Sequence, residues 1–341
     1  MRTGIIAAGT WLADLIKFIP YYPAPGNLVS IEKEEVGLGG CAHNVLMDLA
    51  KLQSGLPLYA AGCIGKDAYG DLILKTVMEQ RINAKYLCQL SSVPTSYTDV
   101  MVAKAGTTRT FFHNRGANAE FGIEYIDQID VPAKIFHLGY LLLLDKLEEP
   151  DKFYQLKAAR VFHELQQKGY ETSVDVVSEE SDRFRNVLLP CLPYINYLVI
   201  NEVEAGSCYG ISLRGDNGEI LLDQVRLVAV DLMKAGVNTL CCIHFPEGGY
   251  ALHRSGEEGF CPSYKIQSNE IVSTVGAGDA FCAGVLYAAH EGLGLKDTLR
   301  FANALAHFNL LHATCCGGAP RLKEVYDFIK VNKILITRHW I

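Results

Sequence analysis

The sequence lacks the signatures of several common protein classes. It contains no GxxxxGK segment followed by Ser or Thr, which excludes a P-loop triphosphatase, and no GxGxxG follows the first predicted strand, which argues against an NAD-linked oxidoreductase. No apolar run approaches the roughly 18 residues that a membrane-spanning helix needs. Basic residues are not in excess, and the net charge of −7 argues against nucleic acid as a partner.

Metal-binding cysteine pairs are also missing, although the chain has eleven cysteines. No two of them have the CxxC spacing of a zinc site. The adjacent pairs Cys241–Cys242 and Cys315–Cys316 cannot easily direct two thiols at one ion. Most of the others lie in apolar segments, so we interpret the cysteines as small packing residues.

The overall composition is typical of a soluble globular protein, with 49% hydrophobic and 20% charged residues. The apolar N-terminal segment contains Asp14 and continues into a strand-like pattern, which is not typical of a signal peptide. We therefore expect a cytoplasmic protein. Because no repeat or long linker is present, residues 1–341 are predicted to form a single domain.

Strands and helices alternate in the middle of the chain. The pattern predicts strands at 135–140, 172–177 and 197–200, with helices at 151–168 and 182–191 between them. Such alternation predicts a parallel sheet with helices on both faces, whose ligands bind at the carboxyl ends of the strands. Asp175 falls at such an end.

The stretch from Ser273 to Phe281 has the composition of a tight loop that leads into a helix. Gly276, Ala277 and Gly278 are small, and a long apolar segment follows. The unpaired N–H groups and the dipole at such a helix N-terminus attract an anion. Asp279 lies beside them and is a candidate general base, although an Asp that only caps a buried helix would give the same short pattern.

Two segments carry a resemblance to a known family. The sequence TVGAGDAFCAGVLYA resembles the C-terminal signature of the ribokinase (PfkB-type) family of sugar and nucleoside kinases, and GLGGCAHN resembles its N-terminal signature. The resemblance covers about residues 4–330. It implies a ribokinase-like α/β fold with a central, mostly parallel sheet and a small β lid, formed by segments at about 15–36 and 95–118.

The resemblance also implies roles for individual residues. The catalytic residues would be Gly276, Ala277 and Gly278, as an anion hole, and Asp279, as the base. The substrate-binding residues would be Asp14, Gly39, Gly40, Asn44 and Asn118. The nucleotide end would use Asn201 and Glu204, which match the family's NxxE motif, together with Gly249 and Asn303. Glu204 would hold magnesium through water, because magnesium prefers oxygen ligands and keeps several of its bound water molecules.

Four positions depart from the family pattern. Ser273 stands where the family usually has Asp, so monovalent-cation activation does not carry over to this chain. Cys41 replaces a Lys that ribokinase-type members have near the sugar. His244 and Pro246 replace the Thr and the first Gly of the family's nucleotide-contacting Thr-x-Gly-x-x-Gly loop, of which only Gly249 is retained.

The resemblance implies an ATP- and magnesium-dependent phosphotransferase that moves the γ-phosphoryl group to a hydroxymethyl group of a sugar. A nucleoside kinase is an alternative, and a non-catalytic sugar-sensing protein on the same scaffold is a second one. The acceptor is not identified by the motifs. The apolar lid is compatible with a homodimer formed by edge pairing or lid clasping.

Overall fold

The computed structural model describes residues 2–103, 109–179 and 183–334. The strands are β1 (Ile5–Gly9), β2 (Leu12–Ile19), β3 (Lys33–Gly39), β4 (Leu58–Gly65), β5 (Asn83–Leu90), β6 (Ser96–Ala103), β7 (Arg109–Asn114), β8 (Ile135–Gly139), β9 (Pro150–Asp151), β10 (Gln155–Leu156), β11 (Glu171–Val174), β12 (Tyr197–Asn201), β13 (Leu240–Phe245), β14 (Gly248–His253) and β15 (Glu258–Pro262). The α-helices are α1 (Cys41–Lys51), α2 (Ala68–Glu79), α3 (Ile123–Ile126), α4 (Asp145–Glu148), α5 (Lys157–Gln167), α6 (Phe184–Leu188), α7 (Glu202–Ser207), α8 (Leu222–Lys234), α9 (Ala277–Glu291), α10 (Leu295–Leu310) and α11 (Leu322–Val331).

The central sheet has nine strands in the order β15-β14-β13-β12-β11-β8-β1-β4-β5. The strands from β13 to β5 pair in parallel, whereas β14 and β15 extend the sheet as an antiparallel edge. The parallel strands therefore end along one edge of the sheet, where ligands of such folds bind.

Both faces of this sheet are covered. Strand β1 is fully buried, and its residues alternate between the two hydrophobic clusters of the core: Ile6 lies in one cluster and Ile5 in the other. Helices α5 and α8 contribute to the first cluster, and α1, α9 and α10 contribute to the second. The predicted α/β class with helices on both faces is confirmed. No helix in the described ranges has the length and apolarity needed to cross a bilayer.

A separate four-stranded sheet, in the order β3-β2-β6-β7, forms the lid. Its middle pair, β2 and β6, is parallel, and each outer strand is antiparallel to its neighbour. The turn predicted at 104–107 lies outside the described residues. Phe111 and Phe112 are each 57% exposed, so the lid presents apolar surface; dimerisation through it stays a prediction.

Two predicted helices have different bounds in the structure. The helix predicted at 151–168 begins only at Lys157, because Asp151 accepts hydrogen bonds from the N–H groups of Phe153 and Tyr154 and turns the chain. The predicted start of the other helix, at residue 182, lies outside the described residues; α6 begins at Phe184 and ends at Leu188, and a 3₁₀-helix with an internal proline follows.

Candidate active site

A cavity of about 620 Å³ lies between the lid and the carboxyl ends of the parallel strands. Residues from both sheets and from the N-termini of α1 and α9 line it. They include Asp14, Gly40, Asn44, Thr98, His113, Tyr140, Asp175, Ser178, Asn201, Glu204, His244, Gly276, Gly278, Asp279, Cys282 and Cys315. The cavity therefore contains most of the residues that the two sequence signatures suggested.

The loop before α9 is held in a tight conformation. Gly276 has a φ of 83°, and a Cβ atom there would lie 2.2 Å from the carbonyl oxygen of Cys315. No side chain fits this position without displacing the chain beneath it. The helix starts at the next residue, so its first N–H groups and its positive dipole end lie at the cavity. An anion would be stabilised at this point.

Asp279 lies in the first turn of α9 and is only 4% exposed. The amide of Asn44 donates to its Oδ2 at 2.7 Å, and the hydroxyl of Tyr140 approaches the same oxygen at 3.3 Å. Burial raises the pKa of Asp279, and these hydrogen bonds partly offset the effect. A carboxylate held in this way is a stronger base than an exposed one.

Asp14 extends from β2 of the lid toward the same end of the cavity. Burial, followed by the negative charge of Asp279, raises its pKa to about 6. Gly39 lies on the neighbouring strand, and a Cβ atom there would come within 2.6 Å of the Asp14 carboxylate. Gly40, with a φ of 92°, then turns the chain into α1. The glycine pair thus places the N-terminus of α1 against Asp14.

Asn118 does not line the cavity, although the sequence placed it near the substrate. Its side chain is fully buried, and its Oδ1 accepts a hydrogen bond from the N–H of Trp11 at 3.0 Å. Trp11 immediately precedes β2. Asn118 therefore fixes the start of the strand that carries Asp14, rather than facing the cavity itself.

Asn201 and Glu204 also line the cavity and form a capping box at the start of α7. Asn201 Oδ1 accepts from the N–H of Glu204, and Glu204 Oε2 accepts from the N–H of Asn201, both at 2.9 Å. Ser178 donates to the second carboxylate oxygen at 2.8 Å. Burial raises the pKa of Glu204 to about 7.

Gly249 and Asn303 lie outside the cavity lining. Gly249 pairs with His244 across the β13–β14 hairpin, and a Cβ atom there would lie 2.7 Å from the ring of Phe281. Asn303 is buried in α10 and donates to the carbonyl oxygens of residues 261 and 262 at 3.0 and 3.3 Å. Both residues make packing contacts in this structure.

Two further cavity residues were not identified from the sequence. Tyr140 follows directly after β8 and has a φ of 55°, which directs its hydroxyl toward Asp279. Ser178 follows the end of β11 and contacts both Glu204 and Asn201. Both residues follow parallel strands, and the ends of such strands meet at one edge of a sheet. This position was the feature of the sequence that could have identified them as cavity residues.

Comparisons with known proteins agree with this architecture. The chain is 24% identical to a ribokinase of Schizosaccharomyces pombe over 341 residues, covering 96% of this chain and 98% of that protein. The structure of Arabidopsis thaliana ribokinase complexed with ribose and ATP has a TM-score of 0.79 and 22% identity, covering 97% of this chain and 99% of that one. A nucleoside kinase of Methanocaldococcus jannaschii has a TM-score of 0.74 at 18% identity, with coverage of 97% and 99%.

The solved structures are similar in fold and confirm the ribokinase-like architecture expected from the sequence. The family assignment comes from a match that extends over nearly the whole chain. The model of the pfkB family of carbohydrate kinases matches residues 6–322. This protein therefore belongs to the pfkB carbohydrate kinase family.

Proposed function

We propose that this protein transfers the γ-phosphoryl group of ATP to a hydroxymethyl group of a sugar. The observation that carries the proposal is the position of Asp279, a buried carboxylate at the N-terminus of α9, beside the Gly276 loop and in the same cavity as Asp14. Relatives that are named ribokinase, including one whose solved structure contains ribose and ATP, support it.

Asp279 acts as the general base in this proposal. Its carboxylate accepts the proton of the acceptor hydroxyl as the hydroxyl oxygen attacks the γ-phosphorus and the bond to the leaving ADP breaks. Asn44 and Tyr140 both contact Oδ2, so Oδ1 is the oxygen that we expect to take the proton. Because burial raises the pKa of this carboxyl, it holds the proton more strongly.

The loop at Gly276–Gly278 stabilises the negative charge on the phosphoryl group during transfer. N–H groups in the first turn of α9 provide this stabilisation without a basic side chain, and the close packing against Cys315 fixes their direction. Since the donors are already fixed in place, little reorganisation is required when the charge develops.

The acceptor is held at the lid end of the cavity. Asp14 accepts hydrogen bonds from acceptor hydroxyls, and Asn44 and Gly40 border the same position. Asn118 supports this end indirectly by fixing the N–H of Trp11. The lid strands β2, β6 and β7 contribute residues to the cavity wall and restrict access of water, which would otherwise compete as the acceptor.

Glu204, Asn201 and Ser178 form an oxygen-rich group at the donor end, which fits a magnesium ion held through water. Both carboxylate oxygens of Glu204 already accept hydrogen bonds from the protein, so a water-mediated contact is more consistent than direct ligation. When bound, magnesium would neutralise charge on the β- and γ-phosphates. Glu204 orients the water molecules that surround it.

The test is ADP release from magnesium and ATP with a panel of pentoses, hexoses, sugar acids and nucleosides. Turnover with one sugar class would support the proposal and identify the acceptor. Turnover with nucleosides alone would indicate a nucleoside kinase instead. Tight binding of a sugar without turnover, unchanged in Asp279→Asn, would overturn the enzymatic proposal in favour of a sensor.

A further inference from the structure

A cluster of three residues whose side chains can bind metal ions lies at the wall of the cavity. The Sγ atom of Cys41 is 3.3 Å from Nε2 of His137 and 2.8 Å from Oδ2 of Asp175. Nε2 of His137 is 4.0 Å from Oδ1 of Asp175. All three residues are buried, and the proposed phosphoryl transfer uses none of them.

We propose that Cys41, His137 and Asp175 form a binding site for a divalent ion of the zinc class, with Cys282 as the fourth ligand. Sulfur and imidazole donors distinguish such a site from magnesium or calcium sites, whose ligands are oxygen atoms. Cys282 is the candidate for the fourth position because its Sγ is 3.9 Å from the same imidazole nitrogen, and a rotation of its side chain would be needed to bring it to an ion held by the other three. The ligand set is then two thiolates, one imidazole and one carboxylate.

The separations between the donor atoms of Cys41, His137 and Asp175 are suitable for one ion. Zinc binds sulfur at about 2.3 Å and nitrogen or oxygen at about 2.0–2.2 Å, so donors around a tetrahedral ion lie roughly 3.3–3.8 Å apart. The observed distances of 2.8, 3.3 and 4.0 Å lie on both sides of this range. Side-chain rotations would therefore bring these three donors to distances suitable for one ion.

Neighbouring groups orient these donors in the way that metal ligands are usually supported. Nδ1 of His137 is 3.1 Å from the hydroxyl of Ser173, and with a proton on Nδ1 the lone pair of Nε2 is directed at the sulfur atoms. Oδ1 of Asp175 accepts the N–H of Tyr140 at 2.7 Å, while Oδ2 is directed toward Cys41. His137 and Asp175 thus each have a second contact that fixes the ligand atom.

The cavity provides a route to the site, because Asp175 and Cys282 are both part of its lining. Binding replaces the protons of the two thiols with the ion, and the protons pass to solvent. The four ligands come from α1, β8, the residue after β11, and α9. A bound ion would therefore hold the N-termini of α1 and α9, which carry Asn44 and Asp279, at a fixed separation.

The experiment uses the full chain, freed of metal with a chelator and titrated with Co²⁺ in the absence of magnesium. We expect one ion per chain, a thiolate-to-cobalt charge-transfer band, and displacement of the ion by Zn²⁺. Cys41→Ala and His137→Ala should each weaken binding by at least 100-fold. Cys316→Ala and His163→Ala are the controls, because these half-buried residues lie outside the cluster and should leave the titration unchanged.

A second measurement needs no variant and covers the case in which the buried substitutions prevent folding. The wild-type chain is alkylated slowly with and without Zn²⁺, and the modified cysteines are mapped by mass spectrometry. Selective protection of Cys41 and Cys282 supports the site. The site would be overturned by any of three results: no charge-transfer band, Co²⁺ binding by Cys41→Ala and His137→Ala that equals wild-type binding, or no selective protection of the two cysteines. Each of these results is independent of the kinase assay.

Discussion

The two ends of the cavity differ in how closely they match the family signatures. At the acceptor end, most of the residues expected from the signatures line the cavity, among them Asn44 and Asp279. At the donor end, Glu204 lines the cavity, whereas Gly249 and Asn303 make packing contacts instead. The expected residues in the first turn of a helix therefore line the cavity, whereas those in the hairpin or within a helix do not.

The difference has a physical cause. The acceptor end is built from two glycine turns, at Gly40 and Gly276, whose backbone conformations are set by the local sequence. The donor end depends on the β13–β14 hairpin, where His244 packs against the ring of Phe281 with ring centroids 5.0 Å apart. A site that depends on such tertiary packing changes more readily when single residues are replaced.

The largest expected effect is at the base. Asp279→Asn removes the proton acceptor while preserving the shape of the side chain, so kcat should fall by about 10²–10⁴-fold. The KM for the acceptor should change little. Steady-state kinetics measure both, and Asp297→Asn, at an exposed position in α10, serves as the control. A loss of less than about tenfold would contradict the role of Asp279.

Asp14→Asn tests the acceptor end separately. Loss of a charged hydrogen-bond acceptor costs about 1.5–3 kcal/mol, so kcat/KM for the acceptor should fall by about 10–100-fold. The KM for MgATP should stay within about twofold. Asp99→Asn is a matched control, because Asp99 belongs to the same lid sheet but forms an ion pair with Lys17 outside the cavity lining. Equal losses for both substrates would indicate a general disturbance of the lid.

Glu204→Gln tests the donor end. Glutamine can keep the capping box, so the free energy of unfolding should change little while the charge is lost. We expect the KM for MgATP to rise by about tenfold, equivalent to about 1.4 kcal/mol, and the KM for the acceptor to remain the same. Glu202→Gln is the control, because Glu202 pairs with Arg214 and does not line the cavity. An unchanged KM for MgATP would remove Glu204 from the donor site.

The pH dependence should distinguish the two ends as well. Both carboxyls have raised pKa values, about 6 for Asp14 and about 7 for Glu204, so each loses its charge as the pH falls through its own value. Consequently, kcat/KM for MgATP should decline below about pH 7, and kcat/KM for the acceptor below about pH 6. Protonation of Asp279 lowers both kcat/KM values, so the test is whether the two pH profiles decline at different pH values. Asp14→Asn should abolish only the decline near pH 6.

Much of the fold was predictable because its determinants are local. The alternation of apolar strands and helices indicated the parallel sheet, and the glycine-rich loop indicated the start of α9 near its observed position at Ala277. The antiparallel edge strands β14 and β15 were not predicted. The start of α5 was also missed, because the side chain of Asp151 turns the chain before Lys157.

The buried cysteine cluster shows what the sequence does not reveal. His137 and Asp175 are 96 and 134 residues away from Cys41 in the chain, and no spacing rule connects them. Only the order of strands β11, β8 and β1 in the sheet brings these residues together at the wall of the cavity. Cysteines that were interpreted as packing residues therefore include Cys41, which lies beside a histidine and a carboxylate, and Cys282, which lies beside the same histidine.

The smallest expected effect on activity concerns Asn303. Its amide donates to the carbonyl oxygens of residues 261 and 262, and Asn303→Ala would leave both without this partner. We expect the free energy of unfolding, measured in urea, to fall by about 1–3 kcal/mol, with the KM for MgATP within about twofold of the wild type. Asn332→Ala, at an exposed position, should change neither quantity. If instead the KM for MgATP rose tenfold while stability was retained, Asn303 would contact the donor, and the two ends of the cavity would match the family signatures equally well.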